Sequence, residues 1–313
     1  MKAWWIRPGV RVLAALLLPL LVPAIITALI WALPGDPAEI ICPPSTCGGT
    51  SELAARWHLD QGPWSFFTRW VSEALTGEFG MSWRLEQGLP VAALLVESIP
   101  VTVKLVLLAL VPIVLGVVGA ATGIIPQRAD GVFATVGLVP ALVFALLGSA
   151  AVVVKFGASA FSEDANLWRL GIGAVVLGMS DGAFASAVSG VRSVFSAERN
   201  QRYVGIAILR GERPLANMLP NVAPALAGQM RARILHLLSG AVVVEVVLGL
   251  TGVGDLLWSG TLLQDFGVVL AAATTFACLS AVLLLLQAAV EVGVALHVRR
   301  APPVADAMLA GGG

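Results

Sequence analysis

Charged residues are scarce in this sequence. Only 12% of its 313 residues are Asp, Glu, Lys or Arg, whereas soluble domains carry about 25%. Hydrophobic residues make up 58%, and the mean hydropathy is +0.90. This balance excludes an ordinary soluble domain and indicates a polytopic membrane protein. Because the formal net charge is zero, charge alone gives no reason to expect a nucleic-acid partner.

Lysine is rarer still, and its positions exclude one large class of nucleotide-binding proteins. A glycine-rich phosphate-binding loop ends in Gly-Lys-Ser or Gly-Lys-Thr, but no lysine here follows a glycine; the lysines are Lys2, Lys104 and Lys155. The histidines are scattered without metal-ligand spacing; they are His58, His236 and His297. A GxSxG nucleophile motif is absent. We therefore predict no catalytic residue, no metal site and no cofactor, and we do not expect an enzyme.

Cysteine is also sparse, with three residues that form no CxxC metal pattern. Cys42 and Cys47 flank a short stretch rich in Pro and Gly, and a local disulfide between them is one of two equal alternatives. Cys278 lies within a long apolar run, where we expect a small buried hydrophobic residue.

Long apolar runs are what the sequence has in abundance. Six of them reach the roughly 20 residues that a helix needs to cross a bilayer. They span 12–33, about 99–125, 131–154, 170–191, about 234–250 and 266–290. The predicted fold class is therefore all-α, a polytopic integral membrane protein with six transmembrane helices.

The region 34–95 differs from these runs because it is acidic and rich in Trp. Within it, Trp64, Phe67, Val71 and Leu75 recur at helical spacing and predict a helix over 64–75. Two interpretations of that helix are equally weighted: it lies in the membrane interface, or it packs on the rest of the region.

Basic residues set the predicted orientation. With the N-terminus inside, most of them fall on the inner side: Lys2, Arg7, Arg11, Arg128, Arg192, Arg199, Arg202, Arg210, Arg213, Arg299 and Arg300. This arrangement predicts that both termini are cytoplasmic. The organisation is then a cytoplasmic N-terminus (1–11), a first helix (12–33), an extracytoplasmic segment (34–95), a five-helix core (96–300) with a cytoplasmic loop (196–222), and a flexible tail (301–313).

An ordered series of motifs resembles one family of membrane proteins. The series is ALPGDPAE (32–39), LDQGPWSFFTRWVSEALTGEFGMSWR (59–84), VAALLVESIPVTVKLVLLAL (91–110), GLVPALVFALLG (137–148), VRSVFSAERNQRYVGIAILRG (191–211), LPNVAP (219–224) and SGAVVVEVVLGLTGVGDLL (239–257). Together they resemble the permease subunits of ATP-binding-cassette (ABC) importers of the dipeptide, oligopeptide and nickel type. The resemblance implies the type I ABC importer permease fold and a location in the bacterial inner membrane.

The same resemblance implies function and partners. Peptides are the expected substrates, with nickel or another small solute as the alternative. The expected partners are a second permease, ABC ATPase subunits, an extracytoplasmic substrate-binding protein and the lipid membrane. From other classes, an ion-driven carrier would favour inverted repeats and an intramembrane enzyme would need paired catalytic residues. We detect neither.

The basic loop between the fourth and fifth runs resembles the coupling segment that contacts the ATPase, and the resemblance implies a short helix over 203–210. The residues assigned to coupling by this resemblance are Tyr203, Ala207, Arg210, Gly211 and Arg213. We expect Gly211 to turn the chain with a positive φ where a side chain would clash, and Pro220 and Pro224 to direct the chain into the fifth helix. The competing interpretation is an ordinary basic cytoplasmic loop. Arg202 and the Gly205–Ala207 stretch depart from the family pattern.

Ionisable residues in or near the apolar runs are candidates for the pathway or its gate, because charge at bilayer depth is costly. Asp181 either lines the pathway or hydrogen-bonds a neighbouring helix. Glu245 either holds the glycine-rich loop that follows it or forms an outer gate. Arg231 and Arg233 either extend to the inner headgroups or face the central cavity, and Arg233 is the pathway candidate.

Overall fold

The computed structural model describes residues 6–41, 49–82, 84–159 and 162–300. These residues form helices and turns without a named strand, and the one isolated bridge pairs Met81 with Pro90. In chain order the α-helices are α1 (Ile6–Ala32), α2 (Pro37–Ile41), α3 (Thr50–Trp57), α4 (Pro63–Leu75), α5 (Val91–Thr122), α6 (Asp130–Val136), α7 (Ala141–Phe156), α8 (Glu163–Met179), α9 (Ala183–Arg199), α10 (Arg202–Leu209), α11 (Pro214–Leu248), α12 (Val253–Leu262) and α13 (Phe266–Arg300). The fold is all-helical, as predicted.

Four of the described helices are long and apolar enough to cross a membrane on their own. They contain the stretches Pro8–Ala32, Val91–Thr122, Ala141–Ser159 and Phe266–His297. Two further candidates are bent pairs: α8 with α9 at 45°, and α11 with α12 at 70°. The described residues therefore contain four to six candidate membrane spans.

The third and fourth predicted runs are each interrupted in the structure. The third run, expected over 131–154, is divided into α6 and α7 by residues 137–140. The fourth, expected over 170–191, is divided into α8 and α9 at Ser180–Gly182. The two breaks contact each other closely, since a Cβ on Gly137 would lie 2.7 Å from the Cα of Gly182.

The fifth helix is much longer than the predicted 234–250. α11 begins at Pro214, in the first turn where a missing N–H costs nothing, and it continues through Pro220 and Pro224. The expectation that these two prolines direct the chain into a later helix was wrong. Met218 and Val222, four residues apart on one face, are both buried and hold this early part of α11 in the bundle.

The main hydrophobic core lies where α5, α7, α8, α9 and α11 meet. Its fully buried residues include Leu105, Ile113, Leu237 and Val244. Outward-facing Leu and Val side chains on α1, α5 and α7 remain exposed. A belt of exposed apolar side chains of this kind is typical of a surface covered by lipid.

A second core joins α1 and α13 to the segment between α1 and α5. In α4 the buried residues are Phe66 and Trp70, whereas Trp64 and Leu75 are exposed. The predicted helix over 64–75 is confirmed, and it packs on the rest of the segment through Phe66 and Trp70.

A buried carboxylate fastens this segment to the bundle. Asp265, between α12 and α13, accepts hydrogen bonds from the Ser82 hydroxyl (2.7 Å) and the Arg84 backbone N–H (3.1 Å). The Arg84 guanidinium donates to the carbonyl oxygens of Leu263 (3.1 Å) and Ile40 (3.2 Å). The segment is therefore packed as part of the fold.

Candidate functional site

The short helix α10 is held between α9 and α11 by its inner face. Val204 and Ala207 on that face are buried. The resemblance implied a helix over 203–210, and the structure places it at Arg202–Leu209.

Gly211 ends α10 with a left-handed backbone, as predicted, at φ +73°. Its N–H donates to the Ile208 carbonyl oxygen (3.0 Å), and the Glu212 N–H donates to the Ala207 carbonyl oxygen (3.0 Å). This pair of bonds is the Schellman motif, which satisfies the last carbonyls of a helix. Nothing lies within 4 Å of a Cβ placed on Gly211. The expected clash of a side chain is therefore wrong, and the φ value alone calls for glycine.

The Tyr203 hydroxyl joins three helices. It donates to the Glu198 carboxylate on α9 and accepts from the Asn221 side-chain amide on α11, with 2.9 Å between Nδ2 and the hydroxyl oxygen. Partial burial and the hydrogen bond to Glu198 raise the pKa of Tyr203 above its ordinary value. Sequence reasoning selected Tyr203 but missed Glu198 and Asn221, since nothing local marks either as its partner.

The outer face of α10 is apolar and exposed. Ile206 and Ile208 are exposed, and Leu209 is 88% exposed. Arg210 and Arg213 are exposed beside them. The result is a small apolar patch, formed by Ile206 and Leu209, with arginines at its edge.

A cavity of about 530 Å³ lies behind this patch. Its walls come from the end of α5, from α9, and from the start of α11, with Arg192, Arg199 and Ile208 among the lining residues. Arg192 donates to Asp130 (2.5 Å) and to the Ile125 carbonyl oxygen (2.5 Å), which ties α9 to the loop after α5.

Asp181 lies at the break between α8 and α9 in a left-handed conformation (φ +51°). Its Oδ1 accepts from the Ala141 N–H at the start of α7 (3.1 Å), and its own N–H donates to the Val139 carbonyl oxygen (3.4 Å). These contacts correspond to the second of the two alternatives stated for Asp181, a hydrogen bond to a neighbouring helix.

Glu245 is completely buried near the end of α11. Its Oε2 accepts from the N–H groups of Gly254 (2.7 Å) and Asp255 (3.2 Å) in the first turn of α12. The Val253 N–H donates to the Thr102 hydroxyl (2.8 Å), so α5 contributes to the same junction. Glu245 thus holds the glycine-rich loop, which was one of its two predicted roles.

Arg233 lines a smaller cavity between α5, α9 and α11. Arg231, two residues earlier, is also partly buried but is not part of that lining. The structure therefore does not bring the three gate candidates together: Asp181, Arg233 and Glu245 lie at separate junctions.

The structure describes one of the three cysteines. Cys42 and Cys47 lie outside the described residues. Cys278 is free and exposed on α13, so the prediction that it is buried was wrong. The reason is that Cys278 lies on the outward side of α13, whereas its neighbours Ala277 and Ala281 on the inner side are buried.

The fold and this site define a multi-pass, all-helical membrane protein whose two bent helix pairs are joined by a short helix with an exposed apolar face. The chain belongs to the family described as binding-protein-dependent transport system inner membrane component, whose model matches residues 74–295. It is accordingly an ABC importer permease component of the inner membrane rather than an enzyme in itself. No curated protein matched the chain.

Proposed function

We propose that this permease imports peptides together with a second permease, and that ATP hydrolysis on separate ATPase subunits drives it through α10. A substrate-binding protein would deliver the peptide from the extracytoplasmic side. The observation that carries the proposal is the α10 helix itself, with its exposed apolar patch and Schellman end.

Rigid attachment of α10 supports a role in coupling. Its inner face is buried, and the Tyr203 hydroxyl links it to both α9 and α11. A push on α10 would therefore reach α11, which runs 35 residues, or about 50 Å, toward the Glu245 junction. Rigid-body motion of packed helices is a common way to open one end of a bundle and close the other.

The outer face of α10 supports a protein partner. An apolar side chain as exposed as Leu209 gains free energy when a partner covers it, at about 25 cal/mol per Å² of apolar surface. The exposed arginines at the edge of the patch suit an acidic rim on that partner.

The choice of the peptide and nickel class, in which peptides are the first candidate, rests on the segment between α1 and α5. It resembles that of the dipeptide, oligopeptide and nickel type, and in the structure it packs onto α12 and α13 through Asp265. Because this segment lies on the predicted extracytoplasmic side, its surface could contact a substrate-binding protein.

The test is to express the chain with its chromosomal neighbours, to purify it through an affinity tag, and to identify the subunits that remain bound. We expect a second permease and ATPase subunits. Uptake of a radiolabelled tripeptide and of radioactive nickel is then compared in cells with and without the chain. Loss of peptide uptake alone supports the proposal, and loss of nickel uptake alone contradicts the choice of substrate.

A further inference from the structure

A partly open cavity of about 270 Å³ lies between α5, α9 and α11. Its apolar wall includes Val117 on α5 and Ala187 and Val191 on α9. Ala187 and Val191 are buried, so the α9 side of this wall belongs to the interior of the bundle.

Two polar side chains from α11 complete the lining. Arg233 and Gln229 are four residues apart and therefore share one face of the helix. The Gln229 amide nitrogen donates to the Gly190 carbonyl oxygen (3.3 Å). Among the described residues, neither the buried Nε of Arg233 nor the buried Oε1 of Gln229 has a hydrogen-bond partner.

An arginine without a carboxylate partner is rare inside a membrane-spanning helix. Arg233 lies 15 residues, or about 22 Å, before the end of α11 at Leu248, which places it within the thickness of a bilayer. Within the described part of the chain, no carboxylate forms a salt bridge with it. Ionisable groups at this depth face a partner or a water-filled path, and buried polar groups are normally hydrogen-bonded.

The unused hydrogen-bonding groups define the chemistry of a ligand. A guanidinium donates through several N–H groups and binds carboxylate or phosphate oxygens. The free group of Gln229 is an acceptor oxygen, which suits a donor N–H of a solute and not its anionic oxygens. A volume of 270 Å³ lies just below the range of about 300–1,000 Å³ that is usual for whole small-molecule sites. The cavity therefore suits one anionic end of a solute with a small apolar group.

We propose that Arg233 forms an anion-selecting subsite on the translocation pathway of this permease, with the Gln229 side chain beside it. The subsite takes the carboxylate or phosphate of a transported solute, and its apolar wall accommodates the neighbouring carbon atoms. This inference rests on the proposed import function and narrows it: a peptide with a free C-terminal carboxylate fits the subsite, whereas a bare metal cation is repelled by Arg233.

The test measures the charge selectivity of the cavity in the complete transporter. Ala227, which lines the cavity, is replaced by cysteine in a chain without Cys42, Cys47 and Cys278. Inside-out vesicles are treated with anionic methanethiosulfonate ethylsulfonate or with the cationic trimethylammonium analogue. Arg233 should favour the anionic reagent, so Arg233→Gln should lower the anionic-to-cationic rate ratio about tenfold or more, and Arg233→Lys should keep it.

Arg231→Gln is the matched control, because it removes a nearby arginine that does not line the cavity; we expect a change below about threefold. An equal effect of the Arg231 and Arg233 substitutions, or no effect of either, would overturn the subsite. So would a cysteine at Ala227 that neither reagent modifies while a cysteine at exposed Ala225 reacts, since the cavity would then be closed to water.

A phospholipid headgroup offers the same chemistry as a solute anion, and native mass spectrometry distinguishes the two sources. Phosphatidylglycerol retained by the wild-type complex and lost in Arg233→Gln, with an unchanged reagent ratio, would assign the cavity to lipid and contradict the proposal. Failure of the subsite leaves ATP-driven uptake intact, whereas failure of the import function would show as absent uptake in the unmodified transporter.

Discussion

The buried carboxylate of Glu245 accepts a hydrogen bond from the backbone N–H of Gly254, with 2.7 Å between Oε2 and the nitrogen. Gly254 belongs to the first turn of α12, so the bond fastens the end of α11 to the next helix across a 70° bend. A side-chain acceptor at a helix N-terminus contributes about 0.5–2 kcal/mol. The glycine-rich loop allows this approach, since a Cβ on Gly252 would lie 2.3 Å from the Glu245 carboxyl carbon.

Gly252→Ala should therefore destabilise the protein. The new methyl group must displace the carboxylate or the loop, and overpacking of this kind costs about 1–3 kcal/mol. Thermal unfolding of the purified protein in detergent, followed by tryptophan fluorescence, should show a lower Tm. Gly205→Ala is the control, because nothing lies within 4 Å of its Cβ. Equal Tm values for the two variants would contradict this account of the Glu245 junction.

Asp265→Ala should release the segment between α1 and α5 from the bundle. The substitution removes the acceptor for Ser82 and for the Arg84 N–H, and each buried donor left unpaired costs about 1–3 kcal/mol. Limited proteolysis should cut within 34–90 much faster than in the wild type. Asp60→Ala, at an exposed position in the same segment, should leave the cleavage pattern unchanged. Resistance of the Asp265 variant would show that this contact does not fasten the segment.

Local patterns in the sequence were enough to predict the apolar runs and the helix over 64–75, whereas the short helix that ends at Gly211 was implied by the family resemblance. Each depends on residues within one or two turns of each other. The positive φ of Gly211 also depends on nearby residues alone, because an exposed glycine at the end of a helix is the usual C-terminal cap.

Contacts between distant residues were not predictable in this way. Ser82 and Asp265 are 183 residues apart, and neither has a local signal for the other. The breaks at Gly137 and Gly182 depend on two turns that pack together, and the apolar composition continues across both. Pro220 and Pro224 were misleading, because α11 continues through both of them. Burial of Met218 and Val222 outweighs the cost of these prolines to the helix.

Gly211→Val and Gly211→Asn should differ in effect, although both add a side chain in open space. The backbone there has φ +73°, which costs a β-branched residue about 1–2 kcal/mol and is tolerated by asparagine. We expect Gly211→Val to lower ATP-driven uptake strongly and Gly211→Asn to retain most of it, with similar amounts of both variants in the membrane. Equal uptake by the two would exclude the left-handed turn as a requirement.

Tyr203 offers a spectroscopic test, because it is the single tyrosine of the chain. Its pKa in the folded protein is raised by burial and by the Glu198 hydrogen bond. The neutral phenol therefore stabilises the fold below the ordinary tyrosine pKa, and this contribution is lost as the pH rises through the higher folded value. Tyrosinate absorbance should titrate above the ordinary pKa, and Glu198→Gln should lower the midpoint. An unshifted midpoint in the wild type would contradict the hydrogen-bonded link.

The most direct test of the central claim, that α10 couples ATP hydrolysis to transport, uses Leu209→Asp. Leu209 is 88% exposed, so the substitution removes almost no packing from the bundle. Ile124→Asp is the matched control, because Ile124 is 78% exposed in the loop after α5 and lies outside α10. Both variants are reconstituted as complete transporters in proteoliposomes, and ATP-driven uptake and ATP hydrolysis are measured together. The account predicts that Leu209→Asp lowers uptake at least about tenfold while the subunit stays folded, and that Ile124→Asp keeps uptake near the wild-type rate. Wild-type uptake by Leu209→Asp, with the ATPase still bound, would contradict it.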